Sequence, residues 1–458
     1  MKKFKKVILC NIGRIQQDFE YIFPNTEIVK YLSEDKNIKE LNKKEVITFD
    51  DLKKNNKTMI IICDRKEKKY KSYFNKINYE EGKNYIYLED YATVLDEPES
   101  PKMNFLKEKF WYNNFHPKKS NSEMLKDMIY TDSRYDFDCI MPFNYVQIQT
   151  YGFVYPCCQG WAKYNIGNIF FDSPKKVWNS TTAKLYRLSV INKTYAFCEP
   201  NNCPYLSNPH QVNKRETCHY VKERPDSVCL AYDYTCNLMC KSCRNERMNH
   251  NNNKDYQVMY NDIVKKLHKY NWLDAKELYV ASQGEAMLGK SYRKILFSDK
   301  TNRKSIIIHT NGTLLNKTNL DKLTSKYSDI TLFISLDACT KKTYETLRIG
   351  GNFDILMKNL RYISKLKKEG KINYVSILYV VQRENYRELA ETCKLAISLG
   401  FDRFDATRIF NWGTYSEEEF KNVSMFDENG EANKELQKIL EDAIFKTNKI
   451  EIRGNIFK

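Results

Sequence analysis

The chain has 458 residues, 42% of them hydrophobic and 14% aromatic, with a formal net charge of +17. That length exceeds one ordinary core, and the apolar content excludes wholesale disorder, so two to four domains are expected. No apolar run approaches the roughly 18 residues that cross a bilayer, and Val7–Cys10 is too short for a signal-peptide core. No membrane span and a cytoplasmic location are therefore expected.

The positive charge raises the question of nucleic acid. The basic residues, however, are spread along the chain, and Lys, Asn, Ile and Tyr are all abundant, as an AT-rich coding sequence produces. Nucleic acid is not an expected partner. The 14 cysteines, without a secretion signal, point to metal ligation or redox chemistry in place of a disulfide framework. Ten of them crowd between Cys139 and Cys243, and that crowding needs a cause.

Taken in order, residues 1–98 read as a small α/β domain with buried strands at Lys6–Cys10 and Thr58–Cys63. The segment Asn11-Ile-Gly-Arg14 lacks the glycine pattern that lets backbone meet a pyrophosphate. The domain resembles degenerate Rossmann-like domains at the front of some bacterial polysaccharide-biosynthesis proteins, which implies a docking or structural role. Residues 99–131 read as a linker with short helical pieces, and 132–226 as a cysteine-rich zone of short strands and turns. From 227 to 458 the pattern becomes regular. Strands are predicted at 228–235, 277–282, 305–311, 329–337, 374–382 and 403–409, with helices at 255–271, 317–326, 353–368 and 384–399. Six βα units predict a parallel sheet curled into a partial (β/α)6 TIM-type barrel, with chemistry at the carboxyl ends of its strands.

Directly after the first barrel strand comes Cys236-Asn-Leu-Met-Cys240-Lys-Ser-Cys243. The spacing C-x3-C-x2-C lets three thiolates hold three corners of one [4Fe–4S] cube, leaving the fourth iron without a protein ligand. Open coordination marks a catalytic metal centre. A zinc ribbon completed by Cys229 or Cys218 is the alternative reading of the cysteines alone.

The loop resembles that of the radical S-adenosylmethionine (SAM) enzymes. The resemblance implies that SAM chelates the open iron, that one electron splits it to methionine and a 5′-deoxyadenosyl radical, and that this radical takes hydrogen from a substrate. Ser242 stands where the family often has an aromatic, which leaves adenine's stacking partner unassigned. Later strand ends resemble the family's other motifs. Ala281–Met287 is similar to the Gly-Gly-Glu segment, with Gly284 allowing close backbone approach to the ligand and Glu285 accepting from the SAM ammonium. His309–Thr313 contributes Asn311, and Ile334–Ala338 contributes Ser335 for the ribose or carboxylate, ahead of Asp337. Arg348, in Thr343–Phe353, is the candidate for the SAM carboxylate, Gln382 for the nucleoside, and 408–414 for substrate contacts.

Upstream, Cys139, Gly152 and Cys157 are spaced like the opening of the SPASM auxiliary iron–sulfur domain of these enzymes, and 166–169 and 175–180 also resemble it. Cys198 and Cys203 complete four ligands for one closed auxiliary [4Fe–4S] cluster, with Cys158 and Cys218 as substitutes and zinc as the alternative. The module precedes the barrel here, whereas in most of the family it follows.

The resemblance implies a flavodoxin- or ferredoxin-type reductant. SPASM proteins commonly modify ribosomal peptides, whereas residues 1–98 and 410–420 resemble proteins of surface-polysaccharide gene sets. A sugar-linked substrate is the leading expectation, with peptide maturation second and RNA modification or a non-catalytic SAM-binding scaffold behind. Were the reaction an epimerisation, Cys339 is the candidate hydrogen donor.

Overall fold

The computed structural model describes residues 3–52, 58–66, 68–97, 119–207, 220–298 and 303–457. Much of the expected 99–131 linker, and Cys218, lie outside them. The chain forms two compact units, residues 1–146 with 153–223, and residues 147–152 with 224–458.

The first unit contains a six-stranded sheet of order β3-β4-β2-β1-β5-β6, formed by β1 Lys6–Cys10, β2 Glu27–Ser33, β3 Glu40–Leu41, β4 Lys44–Thr48, β5 Met59–Ile62 and β6 Tyr85–Tyr87. β1 lies between β2 and β5 and pairs in parallel with both. Its run Val7–Cys10 is buried throughout, as a strand covered on both faces requires. In sheets of this type ligands sit where the strand order reverses. Two arginines border that place, and both serve the chain itself: Arg14 Nη2 and Arg65 Nε donate to the Ile129 carbonyl at 3.1 and 3.3 Å, at the end of the helix Asn121–Tyr130. Next in chain order come β7 Tyr145–Gln149 and, within the first unit, a short antiparallel pair, β8 Phe153–Tyr155 with β9 Gly167–Asn168, and the helix Thr181–Ile191. Arg187 of that helix is buried over Trp178, 4.3 Å from the ring centroid, and its guanidinium donates to the Pro142 and Trp178 carbonyls.

The second unit is a partial TIM-type barrel. Its parallel strands follow sequence order: β10 Ser227–Ala231, β11 Glu277–Val280, β12 Ser305–Thr310, β13 Asp329–Ser335, β14 Tyr374–Val381, β15 Arg403–Arg408 and β16 Glu451–Arg453. Two corrections arise. β10 stops at Ala231, four residues short of the predicted end, because Asp233 Oδ1 accepts the Thr235 amide at 2.9 Å and turns the chain out of the sheet. A seventh strand, β16, extends the six expected. Along β13, Ile330, Leu332 and Ile334 are buried while Thr331, Phe333 and Ser335 are only partly so. A side chain at Gly312 would meet both Ile334 and Leu356 of the helix Phe353–Lys368, so the even positions of β13 face the helical layer. Ser335 therefore belongs to the opposite, barrel-lining face.

Candidate metal centres

Beyond β10, backbone hydrogen bonds set the loop. The Cys236 amide donates to Met248 O at 2.9 Å, and the Cys243 and Arg244 amides both donate to Cys240 O, at 2.9 and 3.0 Å. The Met239 amide reaches Ile349 O at 2.9 Å and ties the loop to the turn that carries Arg348. Cys236 and Cys240 are buried and Cys243 is exposed. Burial pushes the Cys236 thiol up to about 11 and also raises Cys240. Ligation needs the thiolate, so the opposing cations matter: Arg244 lowers Cys236, and Arg348 lowers Cys240.

Each sulfur has its own side-chain N–H donor. Asn311 Nδ2 lies 3.8 Å from Cys236 Sγ, Arg348 Nη1 3.8 Å from Cys240 Sγ, and Arg244 Nη2 3.4 Å from Cys243 Sγ. Arg244 was not singled out in the sequence, although a basic residue directly after the third cysteine is a visible signal. Cys229, the proposed completion of a zinc site, is instead buried against Gln147, whose Nε2 is 3.8 Å from its sulfur. Among the described residues no three His, Cys, Asp or Glu side chains converge closely enough for a single ion. The spacing of the loop and its donors is what fits a larger cluster, one thiolate to an iron.

The strand-end motifs are placed around this loop, with three changes of role. Gly284 has φ +76° and approaches the protein's own backbone: a Cβ there would lie 2.1 Å from Asp233 O. Glu285 is fully buried, and its carboxylate is already occupied. Oε1 accepts from Thr310 Oγ1 at 2.8 Å and the Met287 amide at 3.1 Å, and Oε2 accepts from the Asn311 amide at 2.8 Å. It thus ties the ends of β11 and β12 together beside the loop, with Oε2 accepting one bond from the chain. Arg348 likewise has partners inside the protein on two of its three nitrogens, while its buried Nε has none among the described residues. Its Nη2 pairs with Asp337 Oδ2 at 2.6 Å in a buried ion pair, and its Nη1 is at Cys240. The ordering of Asp337 behind Ser335 missed this partnership. Asn385, also unanticipated, is fully buried and donates to the carbonyls of Asp337 and Val380, at 2.9 Å each.

Ser335 ends β13, and Gln382 is buried one residue beyond β14 with its amide donating to Asn385 Oδ1 at 2.9 Å. Cys339 is not brought to the loop. Its thiol is 3.5 Å from Glu388 Oε2, and it lines an outer cleft with Phe353, Met357, Glu391 and Leu395 from the helices Phe353–Lys368 and Leu389–Ser398. The first turn of the helix Lys341–Leu347 draws it there, since Glu388 also accepts the Cys339 and Thr340 amides.

In the first unit, Cys139, Cys157, Cys198 and Cys203 line one enclosed cavity, walled by apolar and aromatic groups including Phe137, Trp161 and Tyr195. Burial raises all four thiols, Cys139 to about 12, and Cys157 feels each of the other three. Four thiols around one apolar-walled cavity fit a fully ligated cluster. Cys158, next to Cys157, accepts the Trp161 and Ala162 amides at its carbonyl, at 2.9 and 3.1 Å.

A partial barrel whose first strand runs into a three-thiol loop is an arrangement that would hold a metal cluster through three protein ligands at the barrel mouth. Residues 234–396 match the radical SAM superfamily, and residues 139–204 match the iron–sulfur cluster-binding SPASM domain. The chain thus carries a radical SAM domain and, ahead of it in the sequence, a SPASM domain, a composition that implies a [4Fe–4S] cluster, auxiliary cluster binding and SAM. Solved structures with a likeness to it include Streptococcus suis SuiB bound to S-adenosylmethionine, at 17% identity, TM-score 0.35 and 50% of each chain. SuiB bound to the precursor peptide SuiA gives 16% identity, TM-score 0.35, and 63% and 65% of this and that chain. The enzyme anSMEcpe with bound AdoMet gives 18%, 0.34, and 49% and 60%. The chain spans about half the length of the first of these. No curated protein matches it by sequence. Among the described residues no helix is long and apolar enough to cross a membrane.

Proposed function

We propose that this chain is a radical SAM enzyme that abstracts hydrogen from a peptide, using a cluster held by Cys236, Cys240 and Cys243. The observation that carries the reading is the loop itself: three thiols beyond the first barrel strand, each facing a side-chain N–H donor, while neighbouring Cys229 is engaged by Gln147. When bound, the cluster supplies the single electron that splits SAM into methionine and a 5′-deoxyadenosyl radical, which removes hydrogen from the substrate. The chain's own residues position the reactants. Ser335, Asn311 and Gln382 stand at consecutive strand ends where the nucleoside and amino-acid portions of SAM are held. Glu285 fixes the backbone amide of Asn311 through the β11–β12 tie, and Asn237 Oδ1 accepts from the Asn311 side chain at 3.0 Å. Cys139, Cys157, Cys198 and Cys203 hold one auxiliary cluster as an electron relay or scaffold. A flavodoxin- or ferredoxin-type protein supplies the electron.

For substrate, the peptide reading replaces the sugar-linked one as the leading proposal. The sugar reading rested on looser resemblances of residues 1–98 and 410–420, whereas the SPASM match over 139–204 is the feature that bears on substrate class. Anaerobic incubation of the full chain with SAM and dithionite tests the activity. Formation of 5′-deoxyadenosine is expected; its absence from iron-loaded protein would leave a SAM-binding scaffold.

A further inference from the structure

The Arg348–Asp337 pair is unusual in where it is anchored. Arg348 follows the helix Lys341–Leu347, and its amide donates to Tyr344 O at 2.8 Å. The next residue, Ile349, accepts the Met239 amide from inside the cysteine loop, so the guanidinium is held against that loop by main chain as well as by its contact with Cys240. Asp337 is fixed just as firmly: Oδ1 accepts the Val380 amide at 2.9 Å, its carbonyl accepts from Asn385, and Oδ2 takes Arg348. Both side chains are buried, at 13% and 3% exposure, where charges are screened least. A cation and an anion are thus presented together, in fixed geometry, to one thiolate ligand.

Reduction of a cluster adds negative charge, so a nearby cation and N–H donation to its sulfurs ease the electron's entry, and a nearby anion opposes it. We propose that Arg348 and Asp337 are positioning residues that act as an opposed pair on Cys240 to set the reduction potential of the SAM-binding cluster. The inference rests on the cluster assigned above to Cys236, Cys240 and Cys243. It gives Arg348 a task other than clamping the SAM carboxylate, and it gives Asp337 a task other than forming a turn. Arg244, at Cys243, adds to the cationic side.

The test is a potentiometric titration of the reconstituted full chain, followed by electron paramagnetic resonance on the signal that changes when SAM is added, with iron counted in every variant. Arg348→Gln should leave the cluster harder to reduce, on the order of tenfold less reduced at a fixed potential, equivalent to about 59 mV for one electron. Asp337→Asn should shift it the other way by a similar factor, and Arg348→Lys should recover most of the loss. A purely structural role for the pair predicts no opposition of sign. Unmoved midpoints at full iron content, or both variants shifting in one direction, would overturn the inference. If Arg348→Gln fails to hold iron, the direction of the Asp337→Asn shift decides. Absence of any SAM-responsive signal in the unmodified chain would instead refute the cluster assignment beneath it.

Discussion

The molecule contains two thiol-rich sites built on opposite principles. The cavity of Cys139, Cys157, Cys198 and Cys203 is walled by aromatic and aliphatic side chains, with Lys163 lowering the Cys198 thiol against the effect of burial. The loop of Cys236, Cys240 and Cys243 is open at Cys243 and has a guanidinium at two of its three sulfurs. Four thiolates on one cluster would leave no iron for a substrate, so such a site would hold or pass an electron. Three ligands with cations beside them leave one position free and favour the reduced state. The difference in ligand number and in electrostatics points the same way: chemistry at the loop, support at the cavity.

The comparison breaks most sharply at the loop. Cys240→Ser should abolish 5′-deoxyadenosine formation and lower iron from about eight to about four per chain, measured by product chromatography and metal analysis; retained activity would mean the loop is not the reactive centre. Cys157→Ser should also remove about four irons yet leave SAM cleavage by dithionite measurable, since the electron then needs no relay. A smaller effect is expected at Gly284. With its positive φ and a Cβ position 2.1 Å from Asp233 O, Gly284→Ala should destabilise the barrel unit by about 2–3 kcal/mol, read from denaturant unfolding. In iron-free protein, exposed Cys243 should be alkylated several-fold faster than half-buried Cys157, whose thiol is held well above its ordinary range, as peptide mass analysis can follow. Smallest of all is Cys339→Ala. Because its thiol faces Glu388 in the outer cleft, turnover should stay within about twofold of the parent, and a large loss would return Cys339 to the reaction.

What the sequence shows of this arrangement follows from physical range. Strands β11 to β14 hold short apolar runs and β15 alternates apolar with polar residues, so their positions are visible from pattern alone, as is the cysteine loop from its spacing. β16 is three residues, Glu451-Ile-Arg453, with one apolar side chain, and no pattern announces it. The early end of β10 depends on a local Asp233–Thr235 turn that competes with the sheet. Pairings at a distance were hidden as well. Nothing in the spacing of Asp337 and Arg348 shows that they neutralise each other, nor that Glu285 spends its oxygens on Thr310, Met287 and Asn311. A charged residue in a motif reads as a ligand contact until its partners are known, and here two such residues already have partners inside the protein. Cys339 illustrates the same limit, because one turn beyond a strand a side chain can face either layer.

The most direct measurement is the response of the reduced full chain to SAM, observed by electron paramagnetic resonance beside a metal count. The arrangement described here requires iron at both sites and a SAM-induced change in one signal, absent from Cys240→Ser. Protein that carries zinc in place of iron, or iron whose signals ignore SAM, contradicts it.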